Sequence, residues 1–342
     1  MGNSKTPGET EPVRLGISAC LLGEKVRYDG GHRLDHYLAE TLGPFVDWVP
    51  VCPEVETGLG VPREPMRLVG TASDARLVTI RTHIDHTNDM RRWAAGRIRD
   101  LAAQDLSGFI FKSRSPSSGM TRVKIYSESG VAGPVGSGIW AGVFMDANPL
   151  LPVEDEGRLR DAGTRENFIE RVFVWQRWLL LLKQRRSVAR LVEFHADHKY
   201  LIMAHSPAHL RQLGRIVSGS KFTQGKKTAA KTVPSGKRST STANELYNAY
   251  LPPLMEALRL QATVKKNVNV LTHLMGYFKR TLAPDEKQEL LGVIGDYHRG
   301  LTPLIVPVTL IRHYVRKYDE PYLSRQLYLS PHPAELMLRN HV

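Results

Sequence analysis

The stretch LSGFIFKSRSPSSGM, residues 106–120, decides how the first half of this chain folds. Its opening is an apolar run of strand length with two Phe and one Ile, which reads as a buried strand over 107–113. Basic residues, serines, a proline and a glycine then crowd into a turn. A core does not hold such a turn. In an open parallel sheet, however, ligands bind beyond the carboxyl ends of the strands, and a polar turn belongs there.

Working outward, three more apolar runs read as strands: RLGISACLL (14–22), FVDWVPVC (45–52) and ARLVTIR (75–81). Between them RLDHYLAETL (33–42) fits a helix closed by Gly43, and 85–105 carries Met90, Trp93, Ile98 and Leu101 at helical spacing. Such alternation predicts an α/β domain over 13–160 with a mostly parallel, Rossmann-like sheet. The Gly-rich stretch 130–142 reads as an irregular loop leading to a short element. It lacks the strand–GxGxxG–helix context of a dinucleotide site. The first strand ends at Cys20, the second at Cys52 and Glu54, the fourth in the serine turn. Two thiols and a serine-rich turn would then face one crevice, although two Cys are also unremarkable as core residues.

The second half changes character. Over 165–342 the apolar spacing is helical, which predicts an all-α domain, interrupted at 218–243 by a basic segment with six Lys/Arg and no Asp/Glu. Charge is segregated: residues 1–160 hold 19 Lys+Arg against 20 Asp+Glu, and 161–342 hold 28 against 14. A phosphate-backbone partner for the second half explains this segregation, and a solvated basic face is the plainer reading. The RNA-binding candidates are Lys221, Lys226, Lys227, Lys231, Lys237, Arg238, Lys265, Lys266, Lys279 and Arg280. His195, His198, His205 and His209 have the spacing of zinc ligands but no Cys nearby, and read more simply as helix histidines. No run approaches a membrane span, two Cys exclude a disulfide framework, and no secretory signal is visible, so a cytoplasmic protein with no membrane association is expected. MGNSKT matches a loose myristoylation pattern that a polar tail explains equally well. Nothing implies a protein partner.

The motifs SACLLGEKVRYDGG, CPEVETGLGVPREP and KSRSPSSGM resemble, in order, those of the thiouracil desulfidase family. FHADHKYLIMAHSP, NVNVLTHLMGYFKRTL and YLSPHPAELMLRN resemble the helical domain fused to longer bacterial members. The resemblance implies a desulfidase acting on 4-thiouridine in tRNA, with a [4Fe–4S] cluster held by three cysteines, one per motif. Carried onto this chain, the metal ligands are Cys20, Cys52 and the position of Ser118, where a serine stands for the third cysteine. Three ligands would leave one iron open to the thiocarbonyl sulfur. A serine hydroxyl is a poor substitute for a soft thiolate, so the cluster is expected to be labile or absent and this chain impaired. Either an engineered Cys→Ser exchange, which the intact motifs favour, or natural divergence accounts for it. Glu54 is the candidate base, with Ser115 and Ser117 orienting water or base and Glu56 second in line. Arg27, Tyr28 and Asp29 would shape the pocket, and Arg63, Lys112 and Arg114 would hold substrate oxygens or phosphate. The competing readings are a desulfidase for free thiouracil and a non-catalytic RNA-binding protein.

Overall fold

Strand β1 (Val13–Ser18) is the hub of a four-stranded, all-parallel sheet. The order is β2 (Val46–Val51), β1, β5 (Gly108–Phe111), β8 (Val153–Asp155). After β1 the chain adds β2 on one side, then returns to add β5 on the other. The boundary between β1 and β5 is therefore the topological switch point, where a crevice opens at the carboxyl ends of the strands. β5 is buried along its whole length, and β1 everywhere but Arg14, as interior parallel strands require. Gly16 of β1 sits opposite Phe109 in register, and a Cβ there would lie 2.2 Å from the Phe109 ring. This glycine is what lets the ring lie across the sheet.

The computed structural model describes residues 12–219 and 242–341, in two units divided after Gln176. The division falls inside helix α4 (Ala162–Lys183), later than the change of character seen in the sequence at 160–165. In the first unit the helices are α1 (Pro53–Glu56), α2 (Thr87–Ala102) and α3 (Ile139–Ala147). The core gathers Phe109, Phe111, Trp140 and Phe144 in ring contact, with Met90, Ala94 and Leu101 of α2 against them. Trp93 and Ile98 of α2 pack at its margin.

Three details depart from the sequence reading. The segment at 75–81 does not join the parallel sheet. It forms β4 (Ala75–Thr79) in a second sheet ordered β4, β3 (Met66–Gly70), β6 (Val123–Tyr126), β7 (Ala132–Gly136), with β3–β4 and β6–β7 antiparallel. The tight turn between β3 and β4, with Gly70 at φ 117, makes an antiparallel hairpin where the sequence predicts a further strand of the mostly parallel sheet. The Gly-rich stretch supplies β7 and the start of α3 in place of a loop. At 33–42 the backbone makes a π-helical turn over Tyr37–Leu42, and Gly43 has φ −46, so it is not a left-handed stop.

The second unit is all helical: α5 (Val188–His205), α6 (Pro207–Val217), α7 (Ala243–Arg259), α8 (Val264–Met275), α9 (Pro284–His298), α10 (Ile305–Lys317) and α11 (Pro321–Ser324). Ser187, Ser206, Thr242 and Thr263 cap α5 to α8, each side chain accepting a first-turn N–H. Pro307 is tolerated as the third residue of α10, where its missing N–H would be unbonded anyway. Among the described residues no helix is long and apolar enough to cross a membrane.

Candidate active site

The carboxyl ends of all four parallel strands open into one cavity of about 800 Å³. β1 contributes Ser18 and Cys20, β2 contributes Cys52 and Glu54, β5 contributes Lys112, Arg114, Ser115 and Ser118, and β8 contributes Asp155 and Glu156. The three turns singled out in the sequence therefore meet. A fourth, from β8, was missed because its strand is three residues long and mostly charged.

The serine turn is fixed by its main chain. Ser115 Oγ accepts the N–H groups of Ser117 (3.3 Å) and Ser118 (3.1 Å), and Gly119 N–H donates to Ser115 O at 2.8 Å. The turn in turn serves the start of α3: Gly138 N–H donates to Gly119 O (2.8 Å), Ile139 N–H to Pro116 O (3.2 Å) and Ala141 N–H to Ser117 O (3.1 Å). These are N–H groups that a helix start leaves without intrahelical partners. The approach is so close that a Cβ on Gly138 would lie 2.4 Å from Ser117 O. This explains why the Gly-rich segment lies where it does, a link that spacing alone does not reveal.

Glu54 is mostly enclosed and has three partners. Ser117 Oγ donates to its Oε1, Arg63 lies 3.7 Å from its Oε2, and Cys52 Sγ points at that same oxygen from 3.6 Å. Ser115 and Ser117 hydroxyls pair at 2.9 Å, so a hydroxyl chain runs from the turn to the carboxylate. Arg63 also donates to Val26 O and Gly60 O, which ties the loop after β2 to the turn after β1. Glu56, the second candidate base, is otherwise engaged: its carboxylate accepts Cys52 N–H at 3.0 Å and pairs with Arg97. It caps α1 and does not line the cavity.

Both cysteines are free thiols. Burial pushes the Cys20 thiol up to about 11, against the pull of Lys112. Burial, then the Glu54 charge, pushes Cys52 up to about 12. Ser118 is 3% exposed and lines the same cavity. Among the described residues no group of three Cys, His, Asp or Glu ligand atoms within 4.8 Å of one another includes either cysteine. The donor set is two thiols and one hydroxyl. It does not fit a cluster held by three thiolates, because the hydroxyl is a hard and far less acidic ligand.

Eight Lys and Arg line the cavity against four Asp and Glu. Four of the cations are paired: Arg27 with Asp29, Arg63 with Glu54, Lys112 with Glu156, and Arg158 with Glu154. Asp29 itself does not line the cavity. It holds Arg27, whose hydrogen bond keeps the Asp29 carboxyl below its usual range, and Arg27 lies 5.3 Å over the exposed ring of Tyr28. Glu156 is buried and also accepts Ser113 N–H (2.6 Å) and Ser113 Oγ–H (2.7 Å). The other four, Arg33, Arg114, Arg122 and Arg160, have no side-chain partner among the described residues. Arg114 (φ 60) and Arg122 (φ 56) both adopt left-handed backbone conformations, unusual for a residue with a side chain. Of these four only Arg114 had been singled out. The other three carry no local signal, since a lone arginine in a loop reads as surface charge.

In the helical unit Lys265, Lys279 and Arg280 are exposed. Lys266 is not free to meet a partner: its Nζ donates to His205 O at 2.7 Å, closing a carbonyl at the end of α5. Lys221, Lys226, Lys227, Lys231, Lys237 and Arg238 lie outside the described residues, as does most of 218–243. The four histidines have separate partners: Tyr250 OH for His195, Phe194 O for His198, Leu260 O for His205 and Ser206 Oγ for His209. No metal-ligand group among the described residues includes His195, His198, His205 or His209.

Comparison with known proteins bears on residues 15–156, which match the model of the family described as 2-thiouracil desulfurase. "Uncharacterized protein YbbK" of Bacillus subtilis (strain 168) is 31% identical over 149 residues, 41% of this chain and 95% of that protein. The chain belongs to the 2-thiouracil desulfurase family. Residues 231–333 match a second family model, described as a protein of unknown function, DUF1722. "Uncharacterized protein YbgA" of Escherichia coli (strain K12) is 29% identical over 150 residues, 44% of this chain and 79% of that protein. Among solved structures, the [4Fe-4S]-dependent thiouracil desulfidase TudS is 29% identical, with a TM-score of 0.36, over 44% of this chain and 94% of that one. The residues that line the cavity up to Glu156 fall within the stretch matched by the family model, and a serine stands at the turn where the resemblance places a third cysteine.

Proposed function

We propose that the cavity is a desulfidase site for 4-thiouridine in tRNA, and that Ser118 impairs its turnover. The observation that carries this reading is the union of two features in one cavity of a desulfidase-family unit. The cavity, a recess at the strand ends, holds Glu54 and the serine turn, and its wall carries four arginines without acidic partners among the described residues. A free thiouracil has no phosphate for those arginines to meet, whereas a polynucleotide does. The net positive charge of the second half supports the same partner.

The reaction class is hydrolytic. Water adds at C4 of the base, the C4=S bond gives way to C4=O, and sulfur departs as sulfide carrying the two protons of water. No electrons are exchanged. Glu54, held by Arg63 and Ser117, takes the proton of the attacking water. Ser115 keeps Ser117 in place through their shared hydrogen bond. A base inside folded RNA must be turned out of its stack to reach the recess.

The test measures sulfide release and loss of near-ultraviolet 4-thiouridine absorbance from thiolated tRNA, beside free thiouracil. Ser118→Cys, reconstituted anaerobically, is to desulfurate tRNA while the native chain shows little turnover. Activity of Ser118→Cys on free thiouracil alone supports the free-base reading. Inactivity on both substrates ends the desulfidase reading.

A further inference from the structure

Helix α8 and the 3-10 turn that follows it, Gly276–Phe278, carry one exposed stripe without an acidic residue. Lys265, Asn269, His273, Tyr277 and Arg280 recur at spacings of four, four, four and three, which places them on one face, and all five are exposed. Residues 257–284 as a whole hold five Lys and Arg and no Asp or Glu. Lys265, His273 and Arg280 have no side-chain hydrogen bond or ion pair among the described residues. Tyr277 is 38% exposed, whereas Phe278 beside it is buried. The Tyr277 ring is stacked on Tyr322 of α11, with centroids 5.4 Å apart and planes 15° apart, and its hydroxyl accepts from the buried Tyr200 of α5 at 3.1 Å. Two other elements thus hold the ring still, so little side-chain freedom is left to lose when something packs on it. Asp197, whose charge acts on Tyr322, and Glu193 are both engaged by Arg325, at 3.0 Å and 2.8 Å. A pinned, partly open aromatic ring on a basic stripe suits an unpaired base: the ring takes the flat face of the base and the cations take its phosphates. An acidic peptide would satisfy the cations and leave the ring unused.

Resting on the tRNA-directed reading above, we infer that the helical unit carries a stacking platform for an unpaired nucleotide of the RNA: Tyr277 receives the base, and Lys265 and Arg280 hold the phosphates on either side of it. Every base has a π-face, so the platform supplies affinity for an unpaired segment and no choice of sequence.

The test titrates the full chain with fluorescently labelled, sulfur-free tRNA, and with a blunt RNA duplex that has no unpaired base, over a range of salt concentrations. Tyr277→Ala is expected to weaken tRNA binding by roughly five- to 150-fold, the worth of one stacked base, and to leave the slope of log affinity against log salt unchanged. Tyr277→Phe keeps the ring, loses only the bond from Tyr200, and is to stay within about twofold of native. Lys265→Ala and Arg280→Ala each lower the slope by about 0.7. Binding of the duplex is insensitive to Tyr277→Ala. Ultraviolet crosslinking of the native chain to tRNA, mapped by mass spectrometry, is to place a nucleotide adduct on Tyr277 and reads the contact without any variant. The inference is overturned if Tyr277→Ala binds tRNA as native does, if Tyr277→Phe loses as much as Tyr277→Ala, if duplex binding falls as far as tRNA binding, or if adducts form only elsewhere. A polyglutamate peptide that binds the native chain and loses as much affinity with Tyr277→Ala assigns the stripe to an acidic protein and overturns it as well. In each of these cases tRNA binding by the native chain leaves the tRNA-directed reading standing. Failure of the native chain to bind tRNA at low salt overturns both.

Discussion

Replacing Gly138 by alanine tests whether the serine turn is positioned by its contact with the start of α3. Gly138 has φ −66 and ψ 155, a conformation alanine adopts freely, so the substitution carries no backbone penalty. The obstacle is steric. The new Cβ would lie 2.4 Å from Ser117 O, 2.5 Å from Ser117 C and 2.9 Å from Pro116 O, all main-chain atoms that cannot rotate away. Ordinary contact requires the turn to retreat by about 1 Å, which strains the hydrogen bonds to Gly138, Ile139 and Ala141. Overpacking of this kind costs about 2 kcal/mol, equivalent to a Tm lower by roughly 4–8 °C for a unit of this size. Gly96→Ala in α2 is the control, because a Cβ there meets nothing within 4 Å and alanine favours the helix by up to about 1 kcal/mol. Thermal unfolding by circular dichroism of both variants beside the native chain reads the effect. A Gly138→Ala chain that melts within about 1 °C of native refutes the positioning argument.

Three further outcomes follow from the site and the helical unit. Glu156→Gln leaves the Lys112 ammonium without its counter-charge in a mostly enclosed position, and urea unfolding is to show a loss of about 3 kcal/mol, with less than 1 kcal/mol counting against a structural role for the pair. Arg114→Ala and Arg122→Ala each weaken tRNA binding and lower the slope of log affinity against log salt by roughly one, whereas an unchanged slope would place both side chains away from phosphate. Burial lowers His198 to about 3, so the unfolded chain binds a proton that the folded chain refuses between there and the ordinary value near 6.5. Burial also lowers His195 to about 4, so stability is full above pH 6.5 and falls as pH drops through that window, by up to roughly 1.4 kcal/mol per pH unit for each of the two rings, and urea midpoints at pH 7.5, 6 and 5 should show the decline about halved in a well-folded His198→Gln chain.

The parts of the site legible in the sequence are those where a strand and its chemistry adjoin. Cys20, Cys52 with Glu54, and the serine turn each follow directly on a buried apolar run, so the parallel-sheet rule placed them together. What escaped is non-local. β8 is too short for a pattern, and Glu156 beyond it matters only because Lys112 and Ser113 reach it from β5. Gly138 reads as a loop glycine until its backbone is seen against Ser117. Arg33, Arg122 and Arg160 come from separate loops and show a common purpose only around the shared cavity. The second sheet was missed because β3 and β6 pair across 57 residues (Leu68 with Ile125) and are only five and four residues long, too short for a pattern to stand out. The helical unit was easier, since its apolar spacing and its Ser and Thr caps are local signals.

The serine turn owes its shape to main-chain bonds and to the hydroxyl of Ser115, and nothing in that scaffold uses the side chain at position 118. Serine and cysteine differ there by one atom, oxygen for sulfur. An evolving gene can therefore cross between the two in a single codon change without disturbing the fold on either side. The scaffold is neutral ground on which a lineage can lay down or take up iron chemistry, and descendants of one ancestor need not agree on which they keep.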